Sequence, residues 1–480
     1  MKTMLLLLLT IHLTCAYTQN SETIPHFEWM DQVGAHSQPN NKQTFLVNDF
    51  GAIGDAITMN TQAIQNAINQ AEKAGGGTVT FQSGIYLSGS LFIGDNINFH
   101  IPKGTMIIGS QDLKDYKCID TRVAGIEMNW PAALINIIGK KNAAITGDGV
   151  IHGKGKVFWD KYWSMRKEYE AKQLRWIVDY DCDRPRGILI SDSENITVDG
   201  IVLYQPGFWS LHILYSKYVT VNDITISNNI EGHGPSTDGI DIDSSSFILV
   251  QNSTINCNDD NICLKAGRDA DGLKVNRPCE YIVIRNCTAG LGAGLFTCGS
   301  ETSGDIKHVV AYNLIAQGTT FGLRFKSTTQ RGGNIEDIHL ANITMQDVKY
   351  PLSVDLNWNP AYSNSLLPES YNNKEIPAHW LKMLEKVDPQ QGMPKFKNIH
   401  FSHIKCTNAE SCITIEGIKK STIDHFSFNH VSIQGKKAGH IKYAKNWICN
   451  NLQIISDEVM ILKNNKKVNL FHNEEPYPFK

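Results

Sequence analysis

Three hallmarks of common protein classes are absent from this sequence of 480 residues. The formal net charge is only −3, whereas proteins that bind nucleic acids usually present a strongly basic surface. The 11 cysteines include no CxxC pair and no histidine cluster accompanies them, so their spacing does not match a zinc site. Beyond the N-terminus, no run is long and apolar enough to span a membrane. We therefore expect no nucleic-acid partner, no bound metal and no membrane span.

The one short apolar run lies at the N-terminus. Residues 1–16 combine a lysine, a leucine-rich core and small residues before Tyr17, which is the pattern of a secretory signal peptide. A lipoprotein signal with an acylated Cys15 is the alternative, but the residues before this cysteine fit that pattern poorly. We expect an exported protein, periplasmic or extracellular, whose residues 17–42 form an irregular segment. Export permits disulfides among the remaining cysteines, and the sequence does not define their pairing.

An amphipathic helix is predicted after this segment. Asn60 suits the N-cap, and three consecutive glycines at 75–77 end the helix. The apolar positions fall on one helical face, namely Ala63, Ile64, Ala67, Ile68 and Ala71. Such a face must cover another apolar surface, so we expect the helix to cap the end of a stack of strands.

From about residue 141 an imperfect unit recurs along the chain. It consists of two short β-branched runs around an Asn, Asp or Gly bend, as in SENITVDGIVLYQ and SSFILVQNSTINC, at intervals of roughly 24 to 34 residues. Strands this short bury their apolar face only when they stack on their neighbours. The pattern predicts an all-β solenoid, a parallel β-helix. The blade motifs of a β-propeller are missing, and the hairpin turns of a sandwich are sparse.

Two segments rich in aromatic and charged residues interrupt the repeat, at 154–183 and 350–395. Long insertions in a solenoid lie on one face and often shape the binding site. Their aromatic rings suit the apolar faces of sugars, although the same rings could simply pack the insertions onto the solenoid. Residues 43–480 are therefore predicted to form one β-helix domain with two insertions.

Five aspartates mark the stretch from 234 to 267. Three of them precede a short β-rich segment and two follow it, so one turn of a solenoid would bring them together; they are Asp238, Asp241, Asp243, Asp259 and Asp260. Glycoside hydrolysis uses paired carboxyl groups, one as an acid for the leaving oxygen and one as a base for water. Aspartates in such strings also cap turns, so these residues alone leave both roles open.

A pair of cations follows two repeats later. Arg324 and Lys326 lie two residues apart and so face the same side of a strand. Two adjacent cations suit a substrate carboxylate, which arginine can bind with two hydrogen bonds. An ordinary surface pair is the alternative.

Together these strings resemble glycoside hydrolase family 28, the family of polygalacturonases and rhamnogalacturonan hydrolases. The matching strings stand in the family's order between about residues 45 and 435: Arg184-Pro185, Gly207-Phe208-Trp209-Ser210-Leu211-His212, Ser236-Thr237-Asp238-Gly239-Ile240-Asp241, Asp259-Asp260, Gly292-Ala293-Gly294 and Arg324-Phe325-Lys326. The resemblance implies a right-handed parallel β-helix, and we expect a bacterial, exported member that acts as a monomer.

The resemblance also implies a role for individual residues. Asp259 would be the general acid, and Asp238 and Asp260 would hold and activate the attacking water. Arg324 and Lys326 would bind the galacturonate carboxylate, and no metal or other cofactor is required. The neighbouring acids, including Asp241, Asp243 and Asp269, are predicted to serve turns and cleft walls.

Three departures from the family pattern bear on specificity. Ser236 replaces an asparagine but can still orient an aspartate. Ala293 replaces a histidine that many polygalacturonases have and rhamnogalacturonan hydrolases commonly lack; His212 and His233 are candidates to supply the missing imidazole. Trp358 stands where the family has a tyrosine, which suggests an altered sugar-stacking site.

The sequence therefore predicts an inverting hydrolase of α-galacturonosyl linkages in polygalacturonan or in the rhamnogalacturonan backbone. The two insertions could close one end of the cleft, which favours exo-action or a preference for oligosaccharides. A β-helix polysaccharide lyase with a Ca²⁺ site is the first alternative. A carbohydrate-binding β-helix without catalysis is the second.

Overall fold

A computed structural model describes residues 24–372 and 374–470, which fold as the predicted right-handed parallel β-helix. Each coil contributes short strands to three parallel rows, and each strand pairs with its counterparts in the preceding and following coils. The predicted signal peptide at 1–16 lies outside the described residues.

The first row carries the candidate site. Its strands are Leu91–Phe92, Ile135–Ile138, Ile188–Ser191, Leu211–Leu214, Ile240–Asp243, Asp260–Lys265, Gly294–Cys298, Phe321–Lys326, Tyr350–Asp355, the ends of Lys395–Glu416 and Ile423–Lys442, and Ile461–Lys463.

The second row begins nearer the N-terminus. Its strands are Thr44–Leu46, Gly77–Thr80, Ile97–His100, Lys141–Thr146, Glu194–Asp199, Lys217–Asn222, Ser246–Gln251, Cys279–Arg285, the first parts of Ile306–Gln317, Asn334–Gln346, Lys395–Glu416, Ile423–Lys442 and Ala444–Ile455, and Lys466–Val468.

The third row closes each coil. Its strands are Asp55–Met59, Gly84–Ser88, Thr105–Gly109, Val150–His152, Val202–Tyr204, Thr225–Ser227, Thr254–Asn256, Thr288–Ala289 and later parts of the long strands. The sequence repeat was predicted from about residue 141, whereas the strands of the solenoid begin at Thr44 and end at Val468.

The described residues also form helices and an antiparallel hairpin outside the three strand rows. The hairpin pairs Cys118–Val123 with Ile126–Pro131. The α-helices are Thr61–Lys73, Lys156–Ala171, Val178–Asp181, Asp269–Val275, Pro360–Ser363 and Ala378–Leu384, and the 3-10 helices are Glu28–Gln32, Val47–Phe50, Leu113–Asp115 and Glu369–Tyr371.

The apolar core follows from the alternation of side chains along each strand. In Ile240–Asp243 the two isoleucines are buried inside the solenoid, so the two aspartates lie on its outer face. Parallel pairing in register stacks one buried apolar residue of each coil on the next: Ile135, Ile188, Leu211, Ile240, Ile262, Phe296, Leu323, Leu352 and Ile413. The stacked ladder gives the short strands the common core that none of them could form alone.

Asparagines form a second ladder at the bend between the second and third rows. The side-chain amide of Asn286 donates to Asn252 over 3.3 Å, Asn313 to Asn286 over 3.0 Å, and Asn342 to Asn313 over 3.4 Å. These asparagines have positive φ angles, a conformation that asparagine tolerates better than most residues. The repeated asparagine in the sequence unit is therefore a turn residue.

The predicted capping helix forms over Thr61–Lys73 and covers the N-terminal end of the core. It buries Ile64, Ala67, Ile68 and Ala71, as predicted, while Ala63 is half-buried. The prediction for Asn60 was wrong in one respect, because its side chain makes no capping hydrogen bond. It instead accepts from the amide of Ile53 (2.7 Å) and donates to the same residue's carbonyl (3.0 Å), which fixes the preceding loop.

The described part of the N-terminal segment is irregular apart from one 3-10 helix, and it packs along the second row. The ring of Phe27 lies 4.9 Å from that of His339, and the ring of Trp29 lies 5.6 Å from that of Tyr281. The amide of Gly34 also donates to the carbonyl of Phe247 over 2.9 Å.

The second insertion begins later than predicted. Tyr350–Asp355 pairs with Phe321–Lys326 as a regular strand of the first row, so the non-solenoid segment covers residues 356–394. It packs against the first insertion, where the rings of Trp176 and Trp380 meet edge to face at 5.6 Å. Most of the aromatic side chains thus join the insertions to each other and to the solenoid.

The cysteines among the described residues are all free, and only Cys118 of them is exposed. Small buried thiols in the solenoid core account for most of them. No helix in the described part of the chain is long and apolar enough to cross a membrane.

Candidate active site

A pocket of about 250 Å³ opens on the outer face of the first row. Beneath it lie side chains that alternate with the core residues of successive strands. Asp241, Cys263, Thr297 and Arg324 are register partners in four consecutive coils, and each points away from the core. The alternation that builds the core therefore also assembles a polar surface on one side of the solenoid.

The stacking of coils brings the predicted catalytic acids together. Asp238 precedes the strand Ile240–Asp243, and Asp260 begins the strand that pairs with it, so the amide of Gly239 donates to the carbonyl of Asp260 over 2.9 Å. Asp238 and Asp259 line the pocket. One carboxylate oxygen of Asp238, one of Asp260 and the sulfur of Cys263 all lie within 4.8 Å of one another.

Asp260 lies beneath the pocket and is fully buried. Lys326 donates to its Oδ2 over 2.8 Å, Thr297 donates to its Oδ1 over 2.8 Å, and Arg324 reaches Oδ1 at 3.4 Å. Burial by itself would raise the pKa of Asp260, but Lys326, Arg324 and Lys265 outweigh burial and hold its pKa well below the ordinary value. Asp260 is therefore an ionised carboxylate at any physiological pH.

Asp259 and Asp238 shift the other way. Burial and the neighbouring Asp260 raise the pKa of Asp259 against the opposing effect of Lys326. Burial, together with Asp241 and Asp259, raises the pKa of Asp238 well above its usual range. Adjacent carboxyl groups pushed to opposite sides of their ordinary pKa can carry an acid and a base role in one site.

Two charged residues that the sequence reasoning missed, Lys265 and Glu301, complete this surface. They form a cluster with the fully buried Asp241, in which the ammonium group lies 3.4 Å from Asp241 and 3.5 Å from Glu301. Asp241 was predicted to serve a turn or a cleft wall, and that prediction was wrong because strand alternation places it beneath Asp238. In IDID and ICLK, Asp241 and Lys265 occupy the positions that alternate with core residues. This alternation could have indicated that both side chains face outward.

Asp243 belongs to a different cluster. Arg122 of the hairpin donates to its Oδ1 over 2.9 Å, and His212 lies 3.6 Å from its Oδ2. Burial opposes the charge on Asp243, but Arg122 and His212 lower its pKa to about 2. Asp269, in turn, is buried and pairs with Arg331 (2.5 Å) and Arg268 (3.2 Å).

The space near the missing imidazole is not filled by either candidate histidine. His212 is fully buried against Arg186 and Asp243, and His233 pairs with Asp160 at 2.9 Å. Ala293 lies one coil beyond Asp259, whose carbonyl accepts from its amide over 2.8 Å. It lines a separate shallow depression that contains Asn229, Glu231, Asn258, Gly292 and Thr320.

Ser236 also differs from the expectation that it could orient the catalytic aspartate. Its hydroxyl donates to Asp179 over 3.2 Å, and Asp179 belongs to the first insertion. The serine therefore links the insertion to the catalytic loop.

Arg324, Lys326 and Trp358, the predicted substrate-binding residues, all line the pocket. The ammonium group of Lys326 lies 4.5 Å from the centre of the Trp358 ring, and the guanidinium group of Arg324 lies 4.0 Å from that of Phe321. The two cations are held between aromatic rings above and Asp260 below.

Both insertions supply walls of the same pocket. Arg175 and Asp179 come from the first insertion, and Trp358, Asn359 and Tyr362 come from the second. The hydroxyl groups of Tyr180 and Tyr362 lie 3.2 Å apart, and Arg268 donates to the carbonyl of Tyr362 over 2.9 Å. These contacts tie the two insertions to the solenoid at one side of the acids.

One group of described residues has the spacing of a metal site, namely Asp238, Asp260 and Cys263. Its carboxylates already have protein cations as partners, since Lys326 contacts Asp260 and Lys265 lies 3.6 Å from Asp238. A hard cation such as Ca²⁺ prefers six to eight oxygen ligands, which a set containing a thiol and two paired carboxylates does not match.

The family model of glycosyl hydrolases family 28 matches residues 97–458, and the chain belongs to this family.

Among curated proteins, a probable polygalacturonase of Vitis vinifera is 25% identical over 422 residues, which are 86% of this chain and 78% of the relative. An endo-polygalacturonase of Pectobacterium carotovorum is 29% identical over 305 residues, 62% of this chain and 71% of the relative. An exo-poly-alpha-D-galacturonosidase of Dickeya chrysanthemi is 24% identical over 445 residues, 85% of this chain and 70% of the relative.

Solved structures confirm the predicted fold. An exopolygalacturonase from Thermotoga maritima superposes with a TM-score of 0.73 at 24% identity, covering 88% of this chain and 95% of the other. A family 28 exopolygalacturonase from Yersinia enterocolitica superposes with a TM-score of 0.72 at 20% identity, covering 91% of this chain and 79% of the other.

Proposed function

We propose that the protein hydrolyses α-galacturonosyl linkages of pectic polysaccharide by a single displacement that inverts the anomeric carbon. One observation carries this proposal. Two carboxyl groups with raised pKa, Asp238 and Asp259, line the same pocket directly above an ionised carboxylate, Asp260. An inverting glycosidase needs one protonated carboxyl group for the leaving oxygen and a carboxylate on the other side for water.

In this mechanism Asp259 is the general acid. Burial and Asp260 favour its protonated form, and within the described residues no cation lies within ion-pair distance of its carboxyl group. The proton passes to the glycosidic oxygen as the bond to the anomeric carbon breaks.

Asp238 and Asp260 hold the attacking water between them. Their closest oxygens lie within 4.8 Å of each other, a separation that one water molecule can bridge. Asp260 is the permanent acceptor because Lys326 and Arg324 fix it as a carboxylate. As the water attacks, its proton passes to Asp238 or Asp260, and the reaction releases a sugar of inverted configuration.

Arg324 and Lys326 are proposed to bind the carboxylate of a galacturonate unit, with Trp358 packing against the sugar. All three side chains line the pocket, and their contacts with Asp260 leave part of each cation facing it. Arginine and lysine beside aromatic rings suit a ring-shaped, negatively charged ligand.

We further propose that the enzyme acts from a chain end or on short oligosaccharides. Support comes from the insertions, which wall the pocket with Arg175, Asp179 and Tyr362 and leave a cavity of about 250 Å³. The relatives include an endo-polygalacturonase of Pectobacterium and an exopolygalacturonase of Zea mays. The proposed mode of action is therefore supported by the insertions and not by the relatives.

Product analysis tests the function. The purified protein is incubated with polygalacturonan and with galacturonate oligomers, and mass spectrometry follows the products. We expect saturated monomer or dimer from the earliest times, with a slow fall in viscosity. A mixture of mid-sized oligomers would overturn the exo-mode, and absence of any cleavage would overturn the enzymatic proposal in favour of a binding protein.

The lyase alternative predicts a different signature. A lyase produces an unsaturated uronate that absorbs ultraviolet light and loses activity with a chelator that removes Ca²⁺. We expect neither effect.

Rhamnogalacturonan is the second candidate substrate. The depression beside Ala293 favours it, because this surface holds asparagine and threonine side chains where many polygalacturonases place an imidazole. Release of products from rhamnogalacturonan oligosaccharides at a rate above that from galacturonate oligomers would establish this preference.

We also propose that the protein is exported by a bacterial cell and works as a monomer. Support for export is the signal-like sequence of residues 1–16. N-terminal sequencing of the exported protein should begin at Tyr17, and light scattering should give the mass of one chain.

A further inference from the structure

One buried lysine lies at the centre of the acids and has no role in the mechanism above. The side chain of Lys265 is 5% exposed, and its Nζ lies 3.6 Å from Asp238, 3.4 Å from Asp241 and 3.5 Å from Glu301. The same nitrogen lies 4.8 Å from the centre of the Trp209 ring. Three carboxyl groups, two from the preceding coil and one from the following coil, therefore share one cation.

We propose that Lys265 is a positioning residue that opposes the protonation of Asp238, the acid that accepts the water, while Asp241 beneath it carries a proton. The inference rests on the proposed hydrolysis and concerns how its base is maintained. Lys265 has no place in the substrate-binding pair and acts through Asp238.

The charges around Lys265 support this assignment. Burial, Asp241 and Asp259 raise the pKa of Asp238, and Lys265 opposes them from 3.6 Å away. Glu301 also faces Arg331 and Lys326, and Asp241 also faces Arg186. Asp259 holds one proton of the site as the general acid.

Asp241 is the best holder of the second proton. Both of its oxygens are buried and lack a hydrogen-bond partner, although Lys265 lies 3.4 Å away. A carboxylate without hydrogen bonds is costly to bury, whereas its protonated form is much less so. Burial raises the pKa of Asp241 to about 8, with contributions from Asp260 and Glu301 that outweigh the opposing effect of Lys265.

The other groups around Lys265 are consistent with a protonated, positively charged lysine. Cys263 and Asp260 face it from its own strand, Asp241 and Asp238 from the preceding coil, Glu301 from the following coil, and His212 from one coil further back. Burial opposes the charge of Lys265, but Cys263 and the surrounding acids raise its pKa well above the ordinary value. Burial lowers the pKa of His212 to about 4, so that ring stays neutral.

The pH dependence of kcat/KM tests the proposal, because its acid limb reports the ionisation of the base in the free enzyme. An opposite charge within about 4–6 Å lowers the pKa of a carboxyl group by roughly 1–3 units. Lys265→Met should therefore move the acid limb upward by about 1 pH unit or more. Lys265→Arg retains the charge and should return the limb most of the way to that of the parent.

Asp241→Asn provides an independent variant if Lys265→Met does not fold. It replaces a protonated carboxyl group by a neutral amide, so the acid limb should stay where it is in the parent. Thermal unfolding of each variant, measured alongside, identifies a purely structural loss.

Three outcomes would overturn the inference. They are an acid limb that stays in place in Lys265→Met, which together with a rise in KM would make Lys265 a substrate ligand, a limb that moves equally in Lys265→Met and Lys265→Arg, and a limb that moves downward in Asp241→Asn, which would show an ionised Asp241. A parent protein that cleaves no galacturonan at any pH would instead refute the proposed function.

Discussion

Asp241 and Asp243 lie two residues apart on one strand, face the same side of the solenoid and are both fully buried, yet their surroundings differ in every other respect. Asp243 accepts a hydrogen bond from Arg122 at 2.9 Å, and its pKa is lowered to about 2. Among the residues that the structure describes, Asp241 has no hydrogen-bond donor to its carboxyl group, and its pKa is raised to about 8. Burial is common to both, so the partners decide the charge of each residue.

The difference separates a structural cluster from a catalytic one. Around Asp243, Arg122 also pairs with Glu127 at 3.2 Å and donates to Ser244 at 2.8 Å, so hydrogen bonds from one arginine fasten a charged hairpin to the solenoid. Around Asp241, three carboxyl groups share the ammonium group of Lys265, and this cluster is unmatched. A carboxylate with a hydrogen-bonded arginine stabilises the fold, whereas an unmatched cluster holds the protons that an acid–base reaction moves.

The largest effect is expected for the acid in the unmatched cluster. Asp259→Asn should lower kcat on galacturonate oligomers by about 10²–10⁴-fold, because an amide cannot protonate the leaving oxygen. Its free energy of unfolding should stay close to that of the parent, since no cation depends on Asp259. Steady-state kinetics and urea unfolding measure the two effects, and equal turnover by mutant and parent would remove Asp259 from the mechanism.

Asp243→Asn should give the reverse result. It leaves Arg122 buried with a weakened partner set, which can cost about 3–5 kcal/mol of stability at neutral pH. Because the lowered pKa makes ionised Asp243 stabilising above about pH 4, the cost should disappear as the pH falls from about 4 towards 2. Urea unfolding between pH 2 and 7 measures the trend.

The kcat of folded Asp243→Asn should match that of the parent. A large loss of kcat in a fully folded sample would show that the two clusters are not separate.

Asp241→Asn should produce a smaller effect of opposite sign. The folded chain retains a proton on Asp241 that the unfolded chain loses near pH 4, so the stability of the parent declines as the pH rises from about 4 to about 8. The amide has no such proton. The variant should therefore gain stability relative to the parent across this window, as measured by unfolding at matched pH values. If the stabilities of variant and parent changed in parallel with pH, Asp241 would be ionised in the folded chain.

Asp241 and Asp243 show which features of the fold and the site could be predicted from the sequence. The period of the repeat and the alternation in IDID and ICLK fixed the solenoid and the outward side of each strand, since both depend on local pattern. Asp238, Asp259, Asp260, Arg324, Lys326 and Trp358 were predicted from the family's strings, and the structure gathers them at one site.

Properties that depend on contacts between distant segments could not be predicted from the sequence. Lys265 and Glu301 acquire significance only when three coils stack, and Arg122 reaches Asp243 from a hairpin 121 residues earlier. The start of the second insertion was misplaced for the same reason, because Tyr350–Asp355 is a strand only by virtue of its pairing with Phe321–Lys326.

The anomeric configuration of the first product tests the central claim most directly. Proton NMR is recorded in the first minutes of hydrolysis of a galacturonate oligomer, before mutarotation equilibrates the anomers. The arrangement of Asp259 above an Asp238–Asp260 water site predicts that the new reducing end appears first as the β-anomer. Initial release of the α-anomer would mean retention through a covalent intermediate and would contradict the account.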